Sequence, residues 1–597
     1  MHTICSPHEE HSSGRNSYDK HPLADRHTIR SLLLAGIAAV LLAACGGETS
    51  QENTEEDTGP FVALTTEAEA SRFLAQAGMG ASDQGIRQVQ RADYTGWLDQ
   101  QFAITPRYSH RTYIDALIAS GQNPNQSHVM HTFWKQVAVA PDQLRQKVAF
   151  ALSQIFVISQ LDSAVGGYER GVASYLDMLG REAFGNYRSL LEAVSRHPMM
   201  GLYLSHLRNQ KASGNRVPDQ NFAREVMQLM SIGLYELNPD GTLVMAGNAP
   251  VETYSNEDIV GLSHVFTGFS WAGPDQQNGR FYGSSSNPPP DPNREVLPMQ
   301  GYPQFHSTEE KRFLGTVIPA QGTPDPDGSL RIALDTIFNH PNVGPFIGRQ
   351  LIQRMVTSNP SPGYVGRVTQ AFNSGSYSHG NWRTGNGQRG DMRAVIAAVL
   401  LDSEARDIAM ASAPGFGKVR EPVLRLAAWM RAFDATSKST NYLLGNTDSP
   451  SNALGQSPMR SPSVFNFYRP GYVPPNTGIA AANLVAPEFQ IIHETSVVGY
   501  SNFMRDAVRY GVGSNSPRDI QADYSKELAL ADEPDALIDR IDLLLTYGTM
   551  STATRDLIRD AVESISINPL NPSAGRQNRV YVATFFTVSS PDFIVQK

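Results

Sequence analysis

A glutamate at the edge of an apolar helical face is the first group in this sequence that could do chemistry. In the stretch DQNFAREVMQLMSIG, Phe222, Val226 and Leu229 follow the i, i+4, i+7 spacing of one helical face. Glu225 lies at the edge of that face, where partial burial raises the pKa of a carboxyl group. Such a group can act as a general base or a metal ligand. The alternative is an ion pair with an arginine of another helix.

Two further candidates lie downstream of Glu225. In YSNEDIVGLSHVFTGFSW, Asp258 follows Ser255 by three positions, which is the capping-box pattern of a helix start and gives the carboxylate a structural explanation. His306 precedes a short charged segment that contains Lys311. A histidine there can bind a metal ion or transfer protons near neutral pH, or it can cap the element that follows.

An apolar run that ends at a cysteine predicts export. The run Leu32–Ala44 is too short to cross a hydrocarbon core of ~30 Å as a helix, but it has the length of a signal-peptide core. The residues Leu-Ala-Ala-Cys resemble the lipobox of bacterial lipoproteins, in which the cysteine is acylated and becomes the first residue. We therefore predict a signal peptide over 1–44, lipidation at Cys45 and an acidic flexible tether over 45–60. An ordinary cleaved signal with a chance cysteine is the alternative.

Composition excludes several classes of protein. The 597 residues include 49 basic and 58 acidic ones, a net charge of −9, so we expect no nucleic-acid partner. The two cysteines, Cys5 and Cys45, allow neither a disulfide framework nor a cysteine-based zinc site in the body of the chain. The sequence contains no phosphate-binding loop, dinucleotide fingerprint, His-Glu-x-x-His zinc helix or nucleophile elbow.

The elements that must position the candidate residues are predicted to be helices. From about Ala63 onwards, apolar residues recur at helical spacing far more often than they alternate. The predicted fold is mainly α: a single large multi-helix globular domain over 61–597 with a minor β-hairpin in LYELNPDGTLVM. Residues 272–303 are rich in Gly, Pro, Ser and Asn, and residues 373–390 are rich in Gly, Ser and Asn. Both segments are predicted to be long loop insertions.

A segment rich in aromatic residues and proline, SPMRSPSVFNFYRPGYVPP at 457–475, allows two interpretations. It is either a stacking surface for a carbohydrate-like ligand or a clamp that holds the C-terminal part of the chain on the core. The Pro-bounded spacing of Phe465, Phe467 and Tyr468 favours the clamp.

Six sequence blocks together resemble the bacterial family called Domain of Unknown Function 1800 (DUF1800). They occur in the order of that family and cover roughly 68–510: NFAREVMQLMSIGLYE, YSNEDIVGLSHVFTGFSW, FHSTEEKRFLG, LDTIFNHPNVGPFIGRQLIQRMV, KVREPVLRL and GQSPMRSPSVFNFYRPGY. The resemblance implies a large, mostly helical exported domain, often encoded beside a sulfatase-like exported partner of the DUF1501 family. It implies no activity.

The resemblance also bears on the candidate residues. Glu225, Asp258, His306 and Lys311 fall on recurring polar positions of the family. Gln228 stands where the family often has a second glutamate, and at position 307 this chain has serine where the family often has aspartate. If those acids bind a metal ion in other members, this chain lacks two of the ligands.

Two functions from different classes follow. One is a lipid-anchored binding or assembly component of the cell envelope that acts with an exported partner; Gly46, where an inner-membrane retention signal would have aspartate, indicates the outer membrane. The other is an envelope enzyme, metal-dependent or an acid/base hydrolase, in which Glu225, Asp258 and His306 converge, with a divalent metal as its cofactor. The departures from the family pattern favour the binding component, and whether the protein is an enzyme stays open.

Overall fold

Helices dominate the structure, as the apolar spacing predicted. The computed structural model describes residues 64–284 and 286–597, and it is 51% helical and 7% strand. Cys45, the predicted signal peptide over 1–44, the predicted tether over 45–60 and residues 61–63 of the predicted domain lie outside these residues. Within the described residues, none of the helices combines the length and the apolar character needed to cross a membrane.

Six of the first eight helices begin at a side chain that caps a free N–H group; the fifth and the sixth have no such cap. Thr66 and Glu69 form a capping box at the first helix, and His197–Pro198 separates the seventh from the eighth, as the residue before a proline is excluded from the helical region. The helices are α1 (Glu67–Ala77), α2 (Asp83–Ala103), α3 (His110–Ala119), α4 (Gln126–Val139), α5 (Gln143–Ser153), α6 (Glu169–Glu182), α7 (Tyr187–Arg196) and α8 (Pro198–Tyr203).

The predicted hairpin lies in the middle part of the chain. Leu237 and Leu243 pair as antiparallel neighbours across the Pro-Asp-Gly turn, where Asn238 N donates to Thr242 O at 2.8 Å. The predicted loop 272–303 contains one short helix. The elements here are α9 (Asn221–Gln228), β1 (Met245–Ala246), β2 (Ala249–Pro250), α10 (Asn256–Val265), β3 (Phe269–Ser270), α11 (Asn278–Tyr282), β4 (Gln300–Gly301), β5 (Lys311–Phe313), β6 (Thr316–Ile318) and α12 (Pro326–Asn339).

The next part of the chain holds a helix that is almost completely buried. All residues of MRAVIAAVLL except Arg393 are buried, which is typical of a helix that is apolar all round. The second predicted loop, 373–390, contains a short hairpin. The elements are α13 (Val343–Met355), α14 (Pro362–Ser374), β7 (Tyr377–His379), β8 (Trp382–Thr384), α15 (Met392–Leu401), α16 (Ser403–Arg406), α17 (Ile408–Ala411), β9 (Lys418–Val419), α18 (Pro422–Ala432) and β10 (Thr436–Ser437).

The last part of the chain returns to the core. Its final strand pairs antiparallel with β9, so Gln596 lies opposite Lys418. A 3₁₀ helix lies here at Pro487–Ile491, and another lies in the middle part of the chain at Pro303–Phe305. The remaining elements are α19 (Gly478–Ala481), α20 (Glu494–Tyr510), β11 (Ile520–Gln521), α21 (Ser525–Ala529), α22 (Pro534–Thr546), α23 (Thr552–Glu563), α24 (Pro572–Ser589), α25 (Pro591–Ile594) and β12 (Val595–Gln596).

One hydrophobic cluster runs through these elements. The fully buried Trp134 and Trp429 lie in it, on α4 and α18. Leu144, Val148 and Leu152 of α5 follow each other at a spacing of four, so they share one face of the helix, and all three are buried. In the residues that the structure describes, the strands pair only in twos, so helix packing rather than a sheet forms the core.

Candidate functional site

Glu225 lies on α9 and is only 8% exposed. Burial raises the pKa of its carboxyl group, and the charge of Arg224 opposes that shift. Among the described residues, no hydrogen-bond donor reaches Oε2, and no arginine forms an ion pair with the side chain. The raised pKa agrees with the position that the helical spacing predicted.

Asp258 caps the start of α10. Its Oδ2 accepts hydrogen bonds from the backbone N and the hydroxyl of Ser255, at 2.7 and 2.8 Å. Its Oδ1 accepts from the backbone N of Leu314 at 2.6 Å, which fixes the β5–β6 turn against the helix. Burial raises the pKa of Asp258, but these hydrogen bonds outweigh it, and the net shift is downward. Both oxygens therefore serve structure, as the capping-box pattern predicted.

His306 is fully buried, with both ring nitrogens engaged. Nδ1 lies 2.8 Å from the carbonyl oxygen of Thr267, which can only accept, so Nδ1 carries the proton. Nε2 lies 3.0 Å from the hydroxyl of Ser329 and accepts from it. Burial lowers the pKa of His306 to about 4. The ring is therefore neutral at pH 7 and holds two segments together.

Lys311 is buried at the first position of β5. Its Nζ donates to the carbonyl oxygen of Glu309 at 3.2 Å and to Oε1 of Gln321 at 3.4 Å. Burial lowers the pKa of Lys311 to about 8, and the charge of Glu309 acts in the opposite direction. The ammonium group ties the strand to the loop before α12.

These candidate residues do not assemble into one metal site. In residues 64–284 and 286–597, no three His, Cys, Asp or Glu side chains are placed to hold a metal ion. The structure instead brings His264 to position 307, where its Nδ1 lies 3.0 Å from the serine hydroxyl and 3.4 Å from Oε2 of Glu309. The convergence of Glu225, Asp258 and His306 on one ion is therefore not what the described structure shows.

A cavity of about 470 Å³ lies beside α9 instead. Five parts of the chain form it: the residues after α5, the end of α9, the 234–241 hairpin arm, one face of α13 and the segment 464–471. Its apolar walls include Ile155, Leu229, Leu237, Phe346, Val464 and Phe465. A mostly apolar concave surface with a few polar groups is the usual form of a ligand site.

The polar groups of the cavity are arginines and glutamines. Helix α13 contributes Phe346, Arg349, Gln350, Gln353 and Arg354, whose spacing of three and four places them on one helical face. The other polar lining residues are Gln154, Gln228 and Arg469.

A buried ion network lies behind this wall. Lys418 Nζ is 3.1 Å from Oε1 of Glu488 and 3.6 Å from Oε1 of Glu421, and all three residues are almost completely buried. Burial raises the pKa of Glu488, and the Lys418 charge opposes this. Glu421 Oε2 also accepts hydrogen bonds from Gln154 Nε2 at 2.5 Å and from Gln456 Nε2 at 2.7 Å.

Sequence reasoning missed both the cavity and the network. The segment 457–475 was predicted to be a clamp, and Tyr468 is indeed buried, but Phe465 is half-buried and lines the cavity. One signal was available, namely the polar stripe of Arg and Gln on the otherwise apolar α13. The burial of Lys418 and Glu421 gave no such signal, because Lys and Glu are mostly exposed in proteins.

The structure defines a large, mainly helical protein with one hydrophobic core and an open cavity. A family model described as "Protein of unknown function (DUF1800)" matches residues 72–595, so the chain belongs to the DUF1800 family. The resemblance carried by the six sequence blocks is thereby confirmed. Neither the curated proteins nor the solved structures provided a match.

Proposed function

We propose that this chain is a lipid-anchored binding component of the bacterial cell envelope, and that it recognises an exported partner at the cavity. The observation that carries the proposal is the rim of this cavity. The hairpin beside it exposes Leu234, Leu243 and Met245, which are 47%, 46% and 50% exposed. Neighbouring apolar side chains exposed in this way mark interaction sites on soluble surfaces.

The anchor in this proposal is the acylated Cys45, supported by the apolar run and the lipobox-like residues before it. Several acyl chains hold a protein at a membrane far more firmly than one, because each buried CH₂ contributes only ~0.8 kcal/mol. Gly46 supports the outer membrane as the location. The partner proposed by resemblance is the sulfatase-like DUF1501 family.

The alternative function, an envelope enzyme, has one supporting observation. Glu225 is buried, has a raised pKa and has an oxygen without a described partner, which suits a general base. Asp258 and His306 give no further support, since their polar atoms hold α10, the β5–β6 turn and α12 in place. The binding function is therefore the one that the geometry supports best.

Capture of the partner from membranes tests the proposal. The tagged full chain is cross-linked in cells and purified, beside the double variant Leu234→Ser/Leu243→Ser. We expect a stoichiometric exported protein with the wild type and its loss with the variant. Leu557→Ser is the matched control, because Leu557 is 59% exposed on α23, away from the cavity lining.

Two results would count against the proposal. One is capture that is equally efficient with the hairpin variant; the other is repeated absence of any stoichiometric protein. The anchor is tested separately: labelled palmitate should enter the wild type and not Cys45→Ser.

A further inference from the structure

The charges around the cavity indicate what it binds. Arg349, Arg354 and Arg469 line it, and none of its described lining residues is Asp or Glu. The chain as a whole has more acidic than basic residues, 58 against 49. A wall with three guanidinium groups and no carboxylate therefore departs from the average of the chain and attracts negative charge.

The two arginines at the mouth of the cavity have no acidic partner. Arg349 and Arg469 are exposed, and in the described part of the chain neither forms an ion pair. Arg469 lies over the ring of Phe465 at 4.5 Å, which positions its guanidinium group beside an apolar wall. A planar guanidinium group offers paired N–H donors that match the geometry of carboxylate and phosphate.

The third arginine lies deeper. Arg354 is 6% exposed, and its Nη1 and Nη2 donate to the carbonyl oxygens of Gln350 and Gln154 at 3.1 Å each. It lies near Glu421 and Glu488, which are already bound to Lys418. The charge of Arg354 therefore balances the second carboxylate of that network, and the guanidinium groups available to a ligand are those of Arg349 and Arg469.

Polar and apolar groups complete the site. Gln350 lines the cavity and its buried Nε2 has no partner among the described atoms, a state that costs free energy until a hydrogen bond forms. Leu229, Phe346 and Phe465 provide an apolar surface for the body of a ligand. The cavity volume is that of a site for a small organic molecule or a protein side chain.

We infer that the cavity binds an oxyanion, a carboxylate or phosphate, carried on an apolar body. This inference rests on the proposed binding function and gives the chemical class of the recognised group. The group can belong to the exported partner or to a free small molecule. Both sources share the same chemistry, and the experiment below separates them.

The test compares two probes of the same shape. The full chain in detergent is titrated calorimetrically with 2-naphthoate and with its neutral counterpart 2-naphthamide, with detergent blanks. We expect 2-naphthoate to bind at least about tenfold more tightly. In Arg349→Gln/Arg469→Gln the affinity for 2-naphthoate should fall at least about tenfold, and that for 2-naphthamide should stay the same.

Two further variants sharpen the test. Gln228→Glu adds a carboxylate to the wall with almost no change in shape, and it should also weaken 2-naphthoate alone. Arg383→Gln removes an exposed arginine of β8 that does not line the cavity, and it should change neither affinity. Equal binding of the two probes, or 2-naphthoate binding that ignores both Arg349→Gln/Arg469→Gln and Gln228→Glu, overturns the inference.

The capture experiment, repeated with 2-naphthoate, shows whether the oxyanion belongs to the partner or to a free small molecule. It also tests the oxyanion inference separately from the proposed binding function. If 2-naphthoate abolishes capture of the partner, the partner supplies the oxyanion. If 2-naphthoate binds and capture of the partner persists, a free small molecule supplies the oxyanion. Binding of 2-naphthamide alone, with capture that depends on Leu234 and Leu243, rejects the oxyanion and leaves the proposed binding function in place.

Discussion

Gln154 donates its side-chain amide to the buried carboxylate of Glu421 across 2.5 Å. The same Gln154 lines the cavity, and its backbone carbonyl accepts from Arg354. One wall of the cavity is therefore attached directly to the ion network around Lys418. A change in that network should reach the cavity through this residue.

The first prediction concerns Lys418. In Lys418→Met, Glu421 and Glu488 lose the cation that compensates their buried charges, so we expect a loss of about 3–5 kcal/mol in the free energy of unfolding. Urea denaturation at pH 7 measures it. Arg312→Gln, which breaks an exposed ion pair with Glu310, is the control and should cost about 0–1 kcal/mol. Similar losses for the two variants would show that the network does not stabilise the fold.

The second prediction concerns the capping carboxylate. Asp258→Ala removes the carboxylate that accepts hydrogen bonds from the backbone N–H groups of Ser255 and Leu314. We expect the free energy of unfolding at pH 7 to fall by about 1 kcal/mol. Because the pKa of Asp258 is lowered in the folded state, its contribution is present above the unfolded pKa and is lost as the pH falls through the folded pKa. The difference from wild type should therefore shrink in acid. Glu257→Ala, an exposed neighbour in the same turn, controls for helix-end charge.

The third prediction concerns the buried histidine. The pKa of His306 is about 4 in the folded protein, below its unfolded value of 6.5, so the unfolded chain binds the extra proton first. Stability should fall as the pH drops from 6.5 to 4, with a contribution of up to about 3 kcal/mol from this residue. His306→Gln, which keeps a donor and an acceptor, should flatten this part of the profile.

The control for this profile is His379→Gln, which removes a histidine exposed on β7. Denaturation midpoints measured at half-unit pH intervals give the slopes. A slope for His306→Gln as steep as that of the wild type would mean that the buried ring does not cause the acid loss.

The fourth prediction concerns the buried carboxylate of Glu225. Its folded pKa is raised, so the ionised carboxylate at pH 7 destabilises the folded state, and wild-type stability grows as the pH falls through the folded pKa toward the lower unfolded pKa. Glu225→Gln should therefore stabilise the protein by roughly 1 kcal/mol at pH 7, with the gain vanishing in acid. Glu252→Gln, at an exposed glutamate, should change little. A destabilised Glu225→Gln would point to a charged partner for this carboxylate.

Local patterns in the sequence predicted local structure well. The capping box at Ser255 and Asp258 and the Pro-Asp-Gly turn are both present, because each depends on residues within a few positions of one another. The mainly helical fold followed from apolar spacing for the same reason.

The cavity could not be predicted in this way. Gln154, Arg354 and Arg469 meet there from positions 154, 354 and 469, and nothing in their local sequence marks them as neighbours. The buried ion network could not be predicted either. Lys418 and Glu421 are three positions apart, but Glu488 comes from a 3₁₀ helix that is distant in the sequence. Of the candidates in the family-like blocks, Asp258, His306 and Lys311 hold elements together through their hydrogen bonds, whereas Glu225 does not.

Residues 595–597 join two distant parts of the chain: β12 pairs with β9, and Lys597 lies against α1. Arg72 and Gln76 of α1, both buried, donate hydrogen bonds to the backbone carbonyl oxygen of Lys597, and 525 positions separate Arg72 from that residue. Helix α1 therefore leaves the ribosome long before its acceptor has been synthesised. The fold therefore closes only when residues 595–597 pack against α1 and β9, and this contact joins segments that are far apart in the sequence.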